Sequence, residues 1–401
     1  MGGKFKYILL SLILANACIE PFEATFTDFE SAIVVEATIT DKMEQQQVFV
    51  TRTFEFEADG PTPESNANVR VTGGSDTFVF QQITPGVYQS NVAFAAQPNT
   101  PYQLQIETQD GRTYASDAMV LPSKTQIDEV RAERMTNDEG VDGVAILVDS
   151  FDPTGSSVNY RYEYEETFKI MAPFWTPTDL EKVPVEEQTQ LCDVRAIPDV
   201  RSEQICFGTD LSNAIIQTNT SDLAEDRVDD FMVRFIPSDN YIISHRYSIL
   251  VRQLVQSNAA FTFYETLNEF SGNESLFSET QPGFLEGNVF SDLDRNEKVL
   301  GYFEVASVTE QRIFFNYEDL YPGEELPPYV DPCTINSPPL VSGSVPPRCV
   351  LSTQVELGLV GYVDLNETPG PGEGPFLTVP NVCGDCSEIG NPDPPAYWIE
   401  D

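Results

Sequence analysis

The stretch ANVRVTGGSDTFVFQQ, residues 67–82, decides the fold class. On both sides of its glycines, apolar and polar residues alternate with a period of two, the repeat of a strand with one face buried. Gly73 and Gly74 fall where the alternation breaks, which predicts a tight turn and therefore an antiparallel hairpin. The same grammar extends in both directions. AIVVEATIT (32–40) and QVFVTRTFEFE (47–57) read as strands, TPGVYQS turns at Pro85 and Gly86, and PYQLQIETQDGRTYAS forms a second hairpin about Asp110 and Gly111. About seven short strands ahead of LPSK (121–124) match the spacing of an immunoglobulin- or fibronectin-like β-sandwich, expected over residues 31–122.

A second β-rich domain is expected over residues 124–330, where GVAILVDSFDP and NYRYEYEETFKI are the clearest strands. The latter alternates tyrosine with charge, so one face can pack while the other stays wet. GFLEGNVF and VLGYFEVASVTEQRIFFN continue the pattern. Between them and the earlier strands lies one helical insertion near 257–270, SNAAFTFYETLNEFSG. Ser257 stands as its cap, Ala260, Phe261, Tyr264, Leu267 and Phe270 recur at helical spacing, and Gly272 is a stop signal. That stripe reads as core rather than as a cofactor box. Residues 331–401 form a Cys-, Pro- and Gly-rich tail, and the fold class predicted for the whole chain is mainly β.

With 41% hydrophobic residues the 401-residue chain can bury a core in each domain. Its 64 acids against 22 bases give a net charge of −42, a field that repels phosphate backbones and excludes nucleic acid as a partner. The first six residues carry two lysines and no acid, and Tyr7 to Ala15 is apolar apart from one serine. This run is shorter than the roughly 20 residues that cross a bilayer, so it reads as a secretory signal over residues 1–17. Cys18 follows the small residues Ala15 and Ala17, in the manner of a lipobox whose cysteine receives diacylglyceryl and acyl lipid. The alternative is ordinary cleavage beside a chance cysteine. Residues 18–30 then form an acidic tether.

Setting Cys18 aside leaves six cysteines, an even number on the exported side where disulfides persist. Cys192 and Cys206 bracket a short polar excursion and are expected to close a small loop. Cys333, Cys349, Cys383 and Cys386 crowd the tail, where spacing allows three connectivities. CGDC at 383–386 lies where no helix is expected, so an oxidised structural clamp is preferred over a redox motif or a four-thiolate zinc site.

Catalytic signals are sparse. His245 is the single histidine, which excludes a multi-histidine metal site; it falls in an expected strand and reads as structural. GxSxG, GxxxxGK[ST] and HExxH are absent. Asp292, Asp294, Asn296 and Glu297 in SDLDRNE resemble the opening of a calcium loop without its glycine and distant glutamate. Calcium is therefore an option there beside a simple solvated loop.

Taken in order, CIEPFE, SAIVVEATIT, ITPGVYQS, FDPTGSSVNYRYEYEETFKIMAPF, HRYSILVRQLVQSNAAFTFYETLNEF, GFLEGNVF and CGDCSEIGN resemble the Bacteroidota surface-lipoprotein family DUF4249, whose genes neighbour TonB-dependent, SusC-like transporters. Phe290 departs from the family's frequent cysteine after GN, and GN replaces a double glycine near Cys386, so the disulfide pattern can differ. The resemblance implies a cell-surface protein held in the outer membrane by lipid on Cys18, without catalytic residues. It also implies association with an outer-membrane β-barrel and other surface lipoproteins. Phe174, Trp175, Tyr397 and Trp398 are the candidate partner contacts, each with burial in its own domain as the alternative. A stand-alone binder of glycan, peptide or calcium is the second expectation, and hydrolysis a weaker third.

Overall fold

A computed structural model describes residues 31–54, 60–200, 204–272 and 285–400. The expected signal peptide, Cys18 and acidic tether lie outside these residues. The chain is mainly β, with two principal cores. A fifteen-stranded sheet runs in the order Ile205–Leu211, Asn159–Met171, Arg246–Val255, Val299–Asn316, Ile33–Thr40, Gln47–Arg52, Val87–Ser90, Asp76–Thr84, Asn68–Gly73, Pro101–Glu107, Thr113–Ser116 and Val289–Ser291, with three short strands off this path. The hairpins expected at Gly73–Gly74, Pro85–Gly86 and Asp110–Gly111 all form, in the registers Gly73↔Asp76, Thr84↔Val87 and Glu107↔Thr113.

The long strand Val299–Asn316 organises the molecule. Its first part pairs in parallel with Ile33–Thr40, from Ile33↔Val299 to Thr40↔Ala306. Its remainder pairs antiparallel with Arg246–Val255, from Val255↔Ser307 to Arg246↔Asn316. Gly301 makes the parallel approach possible, since it sits at φ +94° and a Cβ there would lie 1.9 Å from the Val35 carbonyl oxygen; no L side chain fits that conformation and that space together.

The first core gathers Val35, Val48, Tyr88 and Leu104 from the early strands, but also Ala260 and Phe263 of the helix and Phe303 of the long strand. The second core lies between the Asn159–Met171 end of the large sheet and a three-stranded sheet of Ile127–Thr136, Asp142–Asp152 and Asp226–Pro237. Tyr160 and Tyr162 meet Val144 and Ile146 there, so the expected dry face of the tyrosine-rich strand is its even-numbered side. The spans 31–122 and 124–330 are thus interleaved: residues near 300 complete the core that begins at residue 33, and the chain divides by core rather than by position.

The predicted helix spans Asn258–Gly272, and Ser257 Oγ accepts the Ala260 amide at 3.2 Å. Its buried stripe is Ala260, Phe263 and Tyr264, whereas Leu267 remains 37% exposed. The stripe expected from the sequence therefore holds only in part.

The small loop expected between Cys192 and Cys206 is not closed. Cys192 bonds Cys349, Cys206 bonds Cys386 and Cys333 bonds Cys383. The two thiols are carried apart: Cys206 enters the second core on the Ile205–Leu211 strand, while Cys192 adjoins the Val194–Ile197 strand, whose Val194 packs in a separate cluster with Leu351 and Phe376. Only Cys333–Cys383 joins tail to tail, so none of the three connectivities confined to the tail occurs.

One loop makes a pH-dependent contribution. Asp152 accepts the Thr154 amide at 2.8 Å, its hydroxyl at 2.7 Å and the Ser156 amide at 3.0 Å. Burial works to raise this carboxyl, but the hydrogen bonds prevail and hold it at about 2. A folded value below the unfolded one means the stabilisation is complete above the ordinary carboxyl range and is lost as pH falls toward 2. Asp152→Asn is expected to cost roughly 1–2 kcal/mol at neutral pH, with the gap to wild type shrinking below pH 4 in urea titrations. A gap of constant size down to pH 2 would show that the carboxylate charge is not responsible.

Candidate functional site

The second core uses one face of the strands Asn159–Met171, Arg246–Val255 and Val299–Asn316, and the other face carries charge. Cross-strand register places Arg161 opposite Leu254, Glu163 opposite Arg252 and Arg252 opposite Glu310. The side chains pair across this wet face: Arg161 with Glu163 at 2.7 Å, Arg252 with Glu310 at 2.8 Å, Arg312 with Glu165 at 2.7 Å, and Lys42 with Glu310 at 2.8 Å. Burial tends to raise the Glu310 carboxyl, but Lys42 and Arg252 together bring it below its ordinary value.

Above this floor opens a cleft of 900 Å³, within the range of natural ligand sites. The Ile33–Thr40 and Gln47–Arg52 strands contribute Glu36 and Phe49 to its lining, the helix contributes Phe263, Tyr264 and Leu267, and the segment 211–215 closes another side. Phe49 is 40% exposed and Leu211 66%. These large apolar groups from separate elements share a concave surface, the arrangement that marks binding sites rather than scattered surface hydrophobics.

Beneath the cleft sits a buried ion pair that joins both cores. Glu304 is fully buried and accepts Arg161 Nη2 at 3.0 Å and Gln256 Nε2 at 2.8 Å. Arg161 also approaches Thr38 Oγ1 at 3.4 Å, and the Tyr264 ring covers its guanidinium at 4.6 Å. Burial would weaken the guanidinium's hold on its proton, but Glu304, Tyr264 and Glu163 strengthen it above the ordinary value, so the group is a permanent cation. Burial pushes the Tyr264 phenol up, leaving it neutral. This is a positioning arrangement: strand, helix and floor are fixed to one another, and the cleft inherits their rigidity.

The residues singled out from sequence are elsewhere. Phe174 packs partly buried against the Cys333, Val379 and Cys383 cluster, and Trp175 against the second core, its indole N–H buried without a partner among the described residues. Tyr397 donates to or accepts from Thr167 Oγ1 at 2.8 Å and carries the Arg312 guanidinium 3.7 Å from its ring centre. Trp398 meets the rings of Phe207 and Phe314 edge-on. All four aromatics are partly occupied inside the fold rather than gathered on one surface.

Asp294 Oδ1 accepts the Asn296 amide at 2.9 Å, while Glu297 is taken by Tyr114 at 2.7 Å and Arg112 at 3.0 Å. The carboxylates of Asp292, Asp294 and Glu297 do not all lie within 4.8 Å of one another. Cys333 and Cys383, with Asp331, are the sole such grouping among the described residues. Both sulfurs are oxidised in a disulfide, as are those of Cys349 and Cys386, which removes the four-thiolate zinc reading because zinc requires thiolates. His245 stands just ahead of the Arg246–Val255 strand rather than within it, and burial with nearby Lys169 depresses its imidazole.

Sequence reasoning passed over Arg161, Glu304 and Gln256. Glu304 had a signal: it is the one acid within VLGYFEVASV, an otherwise apolar stretch, and a charge in such a position needs a buried partner.

Residues 19–312 match the family described as Domain of unknown function (DUF4249). That span contains every cleft residue named above. The tail beyond it supplies Cys349 and Cys386, so two of the disulfides fasten the unmatched tail to the matched region. No curated protein matches the chain.

Proposed function

This chain belongs to the DUF4249 family, and we propose that it is a non-enzymatic accessory subunit of an outer-membrane β-barrel complex, held at the cell surface by an acyl lipid on Cys18. The barrel is a TonB-dependent, SusC-like transporter or, as the lesser choice, assembly or secretion machinery; other surface lipoproteins can share the complex. The observation that carries this reading is the 900 Å³ cleft with Leu211, Leu267 and Phe49 uncovered in it, since apolar groups collected in a concavity are stabilised by a docked partner. Three disulfides support an extracytoplasmic location. The dense negative field steers basic partners and rejects acidic ones.

Gentle detergent extraction followed by affinity purification is the test. A barrel protein is expected to co-purify in stoichiometric amount, and recovery of the chain alone overturns the reading. Lipid on Cys18 is checked separately by mass spectrometry of the mature amino terminus.

The cleft also favours a second reading, a stand-alone surface binder of peptide or glycan. Calorimetry with glycans, peptides and calcium separates the two: flat titrations beside a co-purifying barrel leave only the first.

A further inference from the structure

We infer that the cleft receives a peptide segment in which a basic side chain stands beside apolar ones. The inference rests on the reading of the chain as a docking protein and names what is docked.

The cations of the cleft floor are already neutralised. Arg161 is held by Glu163 and Glu304, and Arg252 by Glu310. Among the described residues lining the cleft an anionic ligand would find no unpaired positive charge, and it would enter a chain of net charge −42. Glu36 is the counterpart. Its carboxylate is exposed, lines the cleft, and has no hydrogen-bond or ion-pair partner among the described residues. Register places it opposite Phe49 on one neighbouring strand and Tyr302 on the other, and both aromatics line the same cleft. A carboxylate between aromatic side chains suits a lysine or arginine, whose charged head meets the acid while its methylene stem or cation lies on a ring.

Charge alone would not require a peptide. Leu211, Leu267 and Phe49 come from three separate elements around the opening, and a small amine on Glu36 would leave them in water. A peptide with apolar neighbours covers them at the same time, each fully buried side chain contributing on the order of 1.5–3 kcal/mol.

The test uses the purified full-length mature protein and fluorescence anisotropy at physiological salt. The probes are a peptide alternating lysine with leucine, its glutamate–leucine counterpart and a lysine–serine counterpart. Only the first is expected to bind with appreciable affinity. Glu36→Gln should weaken it roughly tenfold, and Leu267→Ser several-fold, while Glu139→Gln in a distant exposed turn leaves it unchanged. All three variants lie at exposed positions, and coincident thermal melts confirm that they fold. Equal loss from Glu139→Gln, or equal binding of the lysine–serine peptide, would mean diffuse attraction to an acidic surface and would overturn the inference. Persistent binding by Glu36→Gln overturns it too. A barrel that co-purifies equally with Glu36→Gln sinks the cleft assignment and spares the docking role; peptide binding without any barrel does the reverse.

Discussion

Arg161→Met is expected to destabilise the protein by roughly 3–5 kcal/mol, the largest effect of any single substitution considered for the cleft. The cost arises at Glu304, which is completely buried and, among the described residues, would keep only the Gln256 amide as a partner. A carboxylate stripped of its cation in that position must either bear its desolvation or take up a proton. The substitution also withdraws the guanidinium beneath the Tyr264 ring, loosening the helix that walls the cleft. The companion measurement is Arg161→Met with Glu304→Met. A buried pair replaced by apolar side chains is often close to neutral, and Arg161 Nε has no partner among the described residues in any case, so the double variant is expected to recover most of the loss. Denaturant titration of both variants decides the matter. A single variant costing under about 1 kcal/mol, or a double variant no better than the single, would show that this ion pair does not anchor the junction.

The second large effect concerns the tail. Replacing Cys206 and Cys386 together by alanine opens a cross-link that spans 180 residues. With the Cys192–Cys349 and Cys333–Cys383 bonds intact, the two thiols stay tethered through residues 192–206, 333–349 and 383–386, so the loop that this bond closes is roughly 33 residues long and the chain-entropy account puts it at about 3–4 kcal/mol. For a chain of 401 residues, a fall in Tm of about 4 °C corresponds to that loss. The same replacement at Cys333 and Cys383 opens the same ring of three bonds and should cost a similar amount, since closure entropy follows the loop that the remaining bonds leave rather than the separation in sequence. Calorimetry on the two double variants provides the comparison, and losses that differ by more than about 2 kcal/mol would overturn the entropic explanation. Both sulfurs of the longer link are fully buried, which makes it resistant to mild reductant. Activity in the peptide-binding assay is expected to survive either change at low temperature, because no cysteine lines the cleft.

These expectations rest on features of unequal visibility. The hairpin at Gly73–Gly74 could be read directly, because alternation and turn chemistry act within a few residues of one another. The Ser257 cap was equally local, and its hydrogen bond to the Ala260 amide follows from the spacing alone. NYRYEYEETFKI announced one wet face, and that face is the floor of the cleft. What its charges would meet was not visible. Arg161 reaches Glu304 across 143 residues of chain, and no local pattern records which acid a buried arginine will find. The expected Cys192–Cys206 loop failed for the same reason. Proximity in sequence suggested a pairing, whereas Cys206 follows its strand into the second core and Cys192 lies beside a strand of a separate cluster.

By itself the sequence determined that this protein is mainly β, where its strands turn and where its principal helix starts, since each depends on short-range sterics or on composition. Only the tertiary structure decided that Ile33–Thr40 lies parallel to the start of Val299–Asn316, that the tail is fastened to Cys192 and Cys206, and that Glu36, Arg161 and Leu267 surround one cleft. The physical reason is that neighbours in a sheet are selected by the core they jointly bury. That selection sums over contacts between segments hundreds of residues apart, and Gly301 admits the one close approach that brings them together.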